Sequence, residues 1–138
     1  FNQDVEDLGD PEPVVAWKAA VREADGLLIA CPEYNGGLTA VLKNAIDWAS
    51  RPPEQPFNEK PVAIMGVSGG ILGTARAQYQ LRQMLVFLNC HPINKPEVMV
   101  GAVQNKVDAA TGELTDAATR KFVASQLASF ADFIRRAV

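Results

Sequence analysis

The sequence predicts an α/β fold, a doubly wound parallel sheet with helices packed on its faces. Three observations carry that reading. First, the runs Gly26–Cys31, Val62–Val67 and Val98–Val100 are apolar without polar-apolar alternation, as are strands buried on both faces of a parallel sheet. Second, the stretches around them repeat apolar residues at the helical period. Third, the resulting order is α-β-α-β-α-β-α, which suits right-handed crossovers between neighbouring parallel strands.

The chain opens with Phe1 and a polar stretch, Asn2-Gln3-Asp4-Val5-Glu6-Asp7, that reads as a loop. Pro11 and Pro13 mark the entry to the first helix, whose apolar stripe is Val14, Trp17, Val21 and Ala24. Leu42, Ala45, Ile46 and Ala49 make the second stripe, which Pro52 and Pro53 end. Leu81, Met84, Leu85 and Leu88 make the third, stopping before Pro92. Val123, Leu127, Phe130, Ile134 and Ala137 make the last, with Arg135 and Arg136 in its final turn, where cations suit the helix dipole. Segment 101–115, with Gly101, Asn105 and Thr111-Gly112, reads as a loop of hairpin character. Three strands are few for four helices. A doubly wound domain usually carries about five, so two strands are expected to be missing at the front.

Composition narrows the function. The chain has 138 residues, a net charge of −3, 48% hydrophobic and 21% charged residues, which suits one domain with a core of its own. The mildly acidic balance offers no clustered basic face for nucleic acid. The longest apolar runs are about six residues against the ~20 that cross a bilayer, so no membrane segment is expected, nor is a secretory leader recognisable. Cys31 and Cys90 are the only cysteines and His91 the only histidine. They read as two buried free thiols in a reducing cytoplasm and a structural histidine, with no metal site.

In open α/β sheets ligands bind beyond the carboxyl ends of strands, and two strand ends here are chemically unusual. The first is Cys31-Pro32-Glu33-Tyr34-Asn35-Gly36-Gly37-Leu38-Thr39, opening a helix from about Ala40. Its glycines let backbone N–H groups approach a ligand, Tyr34 offers an aromatic face, and Asn35 offers a donor and an acceptor. That set suits a flat heteroaromatic ring with carbonyls on its edge; it also suits a plain strand-to-helix turn capped by Thr39. The second is Ser68-Gly69-Gly70-Ile71-Leu72-Gly73-Thr74, able to wrap a phosphate or a ring edge. It lacks the GxGxxG spacing and the lysine of a nucleotide-binding loop. Both loops are expected on the same edge of one sheet.

Pro32-Glu33-Tyr34-Asn35-Gly36, followed by Val41-Leu42-Lys43-Asn44-Ala45-Ile46-Asp47-Trp48, resembles the signature of NADPH-dependent FMN reductases, the flavodoxin-like group that includes chromate, quinone and azo-dye reductases. Ser68-Gly69-Gly70, Gly73 and Ala77-Gln78-Tyr79-Gln80-Leu81-Arg82 are similar to that family's later flavin loop and the helix after it. Gly37, Thr39 and Ala40 depart from the family's Ser, Pro and Gly by small residues. The resemblance implies a flavodoxin-like domain over residues 1–138, the C-terminal two-thirds of the family domain. About 45 residues of the family layout, a strand, a phosphate loop, a helix and a second strand, have no counterpart here. The loss of that central first strand would leave the edge of Gly26–Cys31 open.

By the same resemblance Pro32, Glu33, Tyr34, Asn35 and Gly36 line the isoalloxazine of FMN, while Ser68, Gly69, Gly70 and Gly73 close over its other side. The implied reaction carries hydride from NAD(P)H to the flavin and on to a quinone-like or other small acceptor. It needs no catalytic side chain, because the cofactor carries the chemistry. The family tendency is toward homodimers and homotetramers. Glu33 reads as a carboxylate that orders its loop rather than a catalytic acid, and Lys43, Asn44 and Asp47 as local pairs on a helix face. Tyr79, Gln80 and Arg82 form a solvated face or meet a partner subunit; Phe122, Phe130 and Phe133 are core or dimer interface. Two rivals stand beside the enzyme: a truncated, non-catalytic scaffold, and a phosphoacceptor domain, which would want acidic strand ends.

Overall fold

A seven-residue strand, Pro61–Val67, organises the molecule. The computed structural model describes residues 1–137, with helices α1 (Gln3–Glu6), α2 (Glu12–Glu23), α3 (Ala40–Ala49), α4 (Ala75–Phe87) and α5 (Ala117–Ala137). The strands are β1 (Leu27–Ala30), β2 (Glu33–Tyr34), β3 (Gly37–Leu38), β4 (Pro61–Val67), β5 (His91–Pro92) and β6 (Val98–Val100). β1 pairs in parallel with one edge of β4, from Leu27 opposite Val62 to Ala30 opposite Met65. The other edge is shared: β5 takes Pro61 and Val62, and β6 takes Met65, Gly66 and Val67, again in parallel. β5 and β6 thus act as one interrupted strand, and the expected parallel sheet with helices packed on its faces is present.

Because Val62 and Ile64 point one way and Ala63 the other, β4 feeds two cores. Val62 and Ile64 pack with Val21 of α2, Ile46 and Ala49 of α3, and Leu81 and Leu85 of α4. Ala63 packs with Ile93 and with Phe130, Phe133 and Ile134 of α5. One face of the sheet therefore carries three helices and the other carries α5. Beside α5, an apolar trough of about 310 Å³ runs along Ala30, Met65, Val67, Val98 and Val100. Among the described residues the outer edge of β1 is unpaired, and Leu28 on it is 47% exposed.

Several expectations need correction. The polar opening stretch contains a helical turn, α1, because the Asn2 side chain accepts from the Asp4 N–H at 2.9 Å and starts it. In α2 the inward place falls to Lys18, paired with Asp10, while Trp17 lies across the seam with α3 and donates its indole N–H to Ala45 O at 2.9 Å. In α5 Gln126, not Leu127, is buried. Its side-chain amide donates to Ile64 O and Pro96 O, both at 2.9 Å, and so serves a β4 carbonyl beside the break between β5 and β6. The Phe group divides: Phe130 is core and Phe122 is 43% exposed. The 101–115 loop does close as a hairpin-like turn, with Val107 bridged to Leu114.

Gln126→Leu keeps the bulk but strips the donor from two carbonyls. The expected loss is about 1–3 kcal/mol, read as a lower urea midpoint with an unchanged slope.

Candidate functional site

The two glycine-bearing loops leave the carboxyl ends of neighbouring parallel strands, so they emerge side by side. Cys31 extends the β1 ladder by donating its N–H to Met65 O at 2.8 Å. The chain then turns at Pro32 and folds into a small antiparallel hairpin, Glu33 opposite Leu38 and Tyr34 opposite Gly37. Its tip is Asn35-Gly36, at φ of +52° and +76°. Two successive left-handed residues make the turn whose twist matches a two-residue hairpin, and Asn-Gly is the dipeptide that adopts it most readily. Pro32, Tyr34 and Asn35 are exposed, Tyr34 at 70%. Thr39 then caps α3, accepting from the Leu42 N–H.

The second loop, residues 68–74, rests on the segment after β6. Ser68 donates its N–H to Val100 O at 2.9 Å, Ala102 donates to Gly70 O at 3.0 Å, and Val103 to Ser68 O at 3.2 Å. Gly73, at φ +56°, lies so close to that segment that a Cβ would stand 2.4 Å from the Met99 carbonyl carbon. Gly69 and Gly70 are exposed, and a Cβ at either would meet a single side-chain oxygen at 4.0 Å, of Gln104 and Ser68 respectively. Among the described residues no acceptor takes the N–H of Asn35, Gly36, Gly69 or Gly70. Both loops thus present unused backbone donors at one edge of the sheet, beside an exposed phenol ring.

The loops are joined through α4. The Glu33 carboxylate accepts from the Ala77 N–H at 3.1 Å and from Arg76 Nε at 2.8 Å. On the other strand of the hairpin, the Leu38 N–H donates to Gln80 Oε1 at 2.9 Å. Glu33 therefore turns its side chain toward α4, leaving its backbone on the loop. Gln80 and Arg76 are the residues that reading the chain alone did not place here. The signals were present: Asn-Gly marks a hairpin, and positions 76 and 80 share a helix face. Of the neighbours, Tyr79 donates its hydroxyl to Glu97 at 3.2 Å, and Arg82 donates to Ile93 O at 3.1 Å. Lys43 pairs with Asp47 on its own helix at 2.7 Å.

The electrostatics leave neither thiol poised as a nucleophile. The Cys31 thiol is pushed up to about 11 by burial and by the charge of Glu33, and Cys90 to about 11 by burial, so both are protonated at neutral pH. His91 is exposed in β5. The described residues contain no cluster of three metal-ligating side chains. What the site can do is bind, orient and hydrogen-bond a planar ligand.

Glu33 is held below its usual carboxylate value of 4.5, chiefly by the Ala77 N–H; partial burial opposes this and Arg76 reinforces it. The native value lies below the unfolded one, so the charge stabilises the fold at neutral pH and the contribution is lost as pH falls through the native value. The stability gap between wild type and E33Q, measured by urea titration, should be full at pH 7. It should narrow below pH 4.5 and close in stronger acid.

Comparison with known proteins places this geometry. Residues 1–105 match the family model for NADPH-dependent FMN reductase. The chain is similar to an NAD(P)H-dependent FMN reductase of Pseudomonas aeruginosa, 55% identical over 136 residues, which are 99% of this chain and 73% of the relative. It is similar to a quinone reductase of Escherichia coli, 49% identical over 137 residues, with 99% and 73% covered. Among solved structures, FerB, a flavoenzyme NAD(P)H:(acceptor) oxidoreductase of Paracoccus denitrificans, superposes with a TM-score of 0.88 at 33% identity, covering 99% of this chain and 74% of FerB. Adjacent parallel strands ending in two donor-rich loops, with this degree of identity along nearly the whole chain, make the protein a member of the NADPH-dependent FMN reductase family.

Proposed function

We propose that this chain is an FMN-dependent NAD(P)H oxidoreductase that passes electrons to quinone-type acceptors. The observation that carries the reading is the set of free N–H groups at Asn35, Gly36, Gly69 and Gly70, offered by two loops tied to one helix. FMN fits that set. Its ring has a carbonyl-bearing edge that such donors complement, and Gly69 and Gly70 leave open the space a flat ring needs. FMN, when bound, supplies the electron-transfer chemistry between NAD(P)H and the acceptor.

In this reading Pro32, Tyr34, Asn35 and Gly36, with the backbone of Glu33, line one side of the ring. Ser68, Gly69, Gly70 and Gly73 close on the other, with Gly73 keeping the loop pressed against Met99 and Val100. No proton-transferring side chain takes part. Residues 1–138 serve as one flavodoxin-like domain, its two cores sharing β4. The quinone acceptor is supported by the names of the relatives. A cytoplasmic location suits two free, buried thiols.

A homodimer or homotetramer belongs to the same proposal. Its support is a groove of about 600 Å³ between α3 and α4, lined by Ile46, Met84 and Leu88, with Phe87 standing 90% exposed at its lip. Light scattering should then report more than one chain per particle, and a monomer at micromolar concentration would sink this part.

The test of function is the visible spectrum of the purified chain after adding FMN and removing the excess. A retained flavin spectrum, with NADPH oxidation on adding benzoquinone, is the expected result. Tyr34→Ala should then raise the FMN Kd roughly threefold to tenfold, as losing an aromatic contact does. A chain that stays colourless is the scaffold, not the enzyme.

A further inference from the structure

We infer that Glu33 is a positioning residue: reaching from the hairpin to the start of α4, it fastens the two loops of the site into one body. The inference rests on the flavin reading for its functional meaning, but its structural basis is independent of it.

α4 begins without a cap of its own. Thr74, the residue before its first turn, sits at φ +68° and makes no side-chain cap bond. It is buried, and its hydroxyl instead accepts from Gln78 Nε2 at 3.1 Å. The N-terminal N–H groups of a helix need acceptors, and the positive end of its dipole favours an anion. Here the acceptor comes from 44 residues upstream. The Glu33 carboxylate, 8% exposed, takes the Ala77 N–H while Arg76 closes over its outer oxygen at 2.7 Å. The cap therefore belongs to the first loop, and the helix it caps belongs to the second.

The remaining contacts give the joint a defined geometry. The Leu38 N–H donates to Gln80 one turn further along α4, so the hairpin is held at both strands. A Cβ at Gly37 would approach the Gln80 amide oxygen to 3.1 Å, which keeps the hairpin seated directly on the helix. Two fixed points prevent the hairpin from pivoting about either one. The free donors of Asn35 and Gly36 and those of Gly69 and Gly70 are thereby kept at a set spacing before any ligand arrives, and pre-organisation of this kind raises affinity by sparing the cost of ordering.

The test compares wild type, E33Q and E33A, each shown to be folded by far-ultraviolet circular dichroism. E33Q keeps an acceptor for the Ala77 N–H without the charge; E33A removes both. Amide hydrogen exchange of the FMN-free proteins should show the Leu38 and Ala77 N–H groups exchanging about tenfold faster in E33A, the scale of a lost helix cap. E33Q should fall between, and the β4 amides of Val62–Ile64 should not change. FMN Kd should rise in the same order, wild type, E33Q, E33A. Exchange at Leu38 and Ala77 that stays within twofold of wild type in E33A overturns the inference, whatever the flavin does. Exchange that rises equally in β4 also overturns it, because Glu33 would then be a general stability residue. A wild type that takes up no FMN would defeat the flavin reading, and the exchange results would still decide the role of Glu33.

Discussion

The packing of this molecule depends on β4 being paired along both edges and covered on both faces. A strand in that position cannot use water to satisfy its backbone, so each of its N–H and C=O groups needs a partner from the chain. β1 supplies one edge from Val62 to Met65. The other is supplied twice, by β5 and β6, and at the break between them the side chain of Gln126 provides the donor that a continuous strand would have provided to Ile64. This explains a buried glutamine on the inward stripe of α5 where an apolar residue would pack more simply. It also ties α5 to the sheet at one register.

From that arrangement the site follows. Parallel pairing of β1 and β4 sends two loops out of the same edge, and the crossover helices begin where those loops end. Glycine lets one loop press onto the strand-end segment at Met99–Val100, and an Asn-Gly turn lets the other double back as a hairpin. The chemistry on display is then backbone chemistry. The side chains that border it are already engaged: Glu33 with Arg76, Gln80 with the Leu38 N–H, and Thr74 with Gln78. A site made this way contributes donors at fixed positions and leaves the reactivity to its ligand.

How much of this could be read from the chain depended on distance along it. Val62–Val67 was legible because burial on two faces leaves an unbroken apolar run. The strand ends were legible because Tyr, Asn and several glycines together are unusual chemistry for a connector. Leu127 was mistaken for an inward residue because apolar periodicity cannot register a glutamine recruited to a strand break. The hairpin 33–38 has only two residues per strand, too few for any alternation to appear, though its Asn-Gly tip was in view. The contacts of Glu33 with Arg76 and Ala77 had no local signature at all, since neither partner is near it until the sheet has formed. α1 was hidden for the opposite reason: four residues, three of them polar, held by one capping side chain look like a loop.

The capping of α4 by a residue from the preceding crossover also bears on how the chain reaches its native state. Closing a segment of some forty residues carries an entropic cost that grows only slowly with length, about 0.6 kcal/mol per doubling, but it must be met before the bond is made. The middle of α4 can form early, on local hydrogen bonds and the Leu81–Leu85 contact with β4. In its first turn the Ala75 N–H finds Leu72 O nearby, but the Ala77 N–H has Glu33 as its acceptor, so that turn should stay frayed until β1 and β4 are aligned and the hairpin has arrived. The site would then be among the last regions to become ordered, so that its completion reports that the sheet beneath it has been correctly assembled.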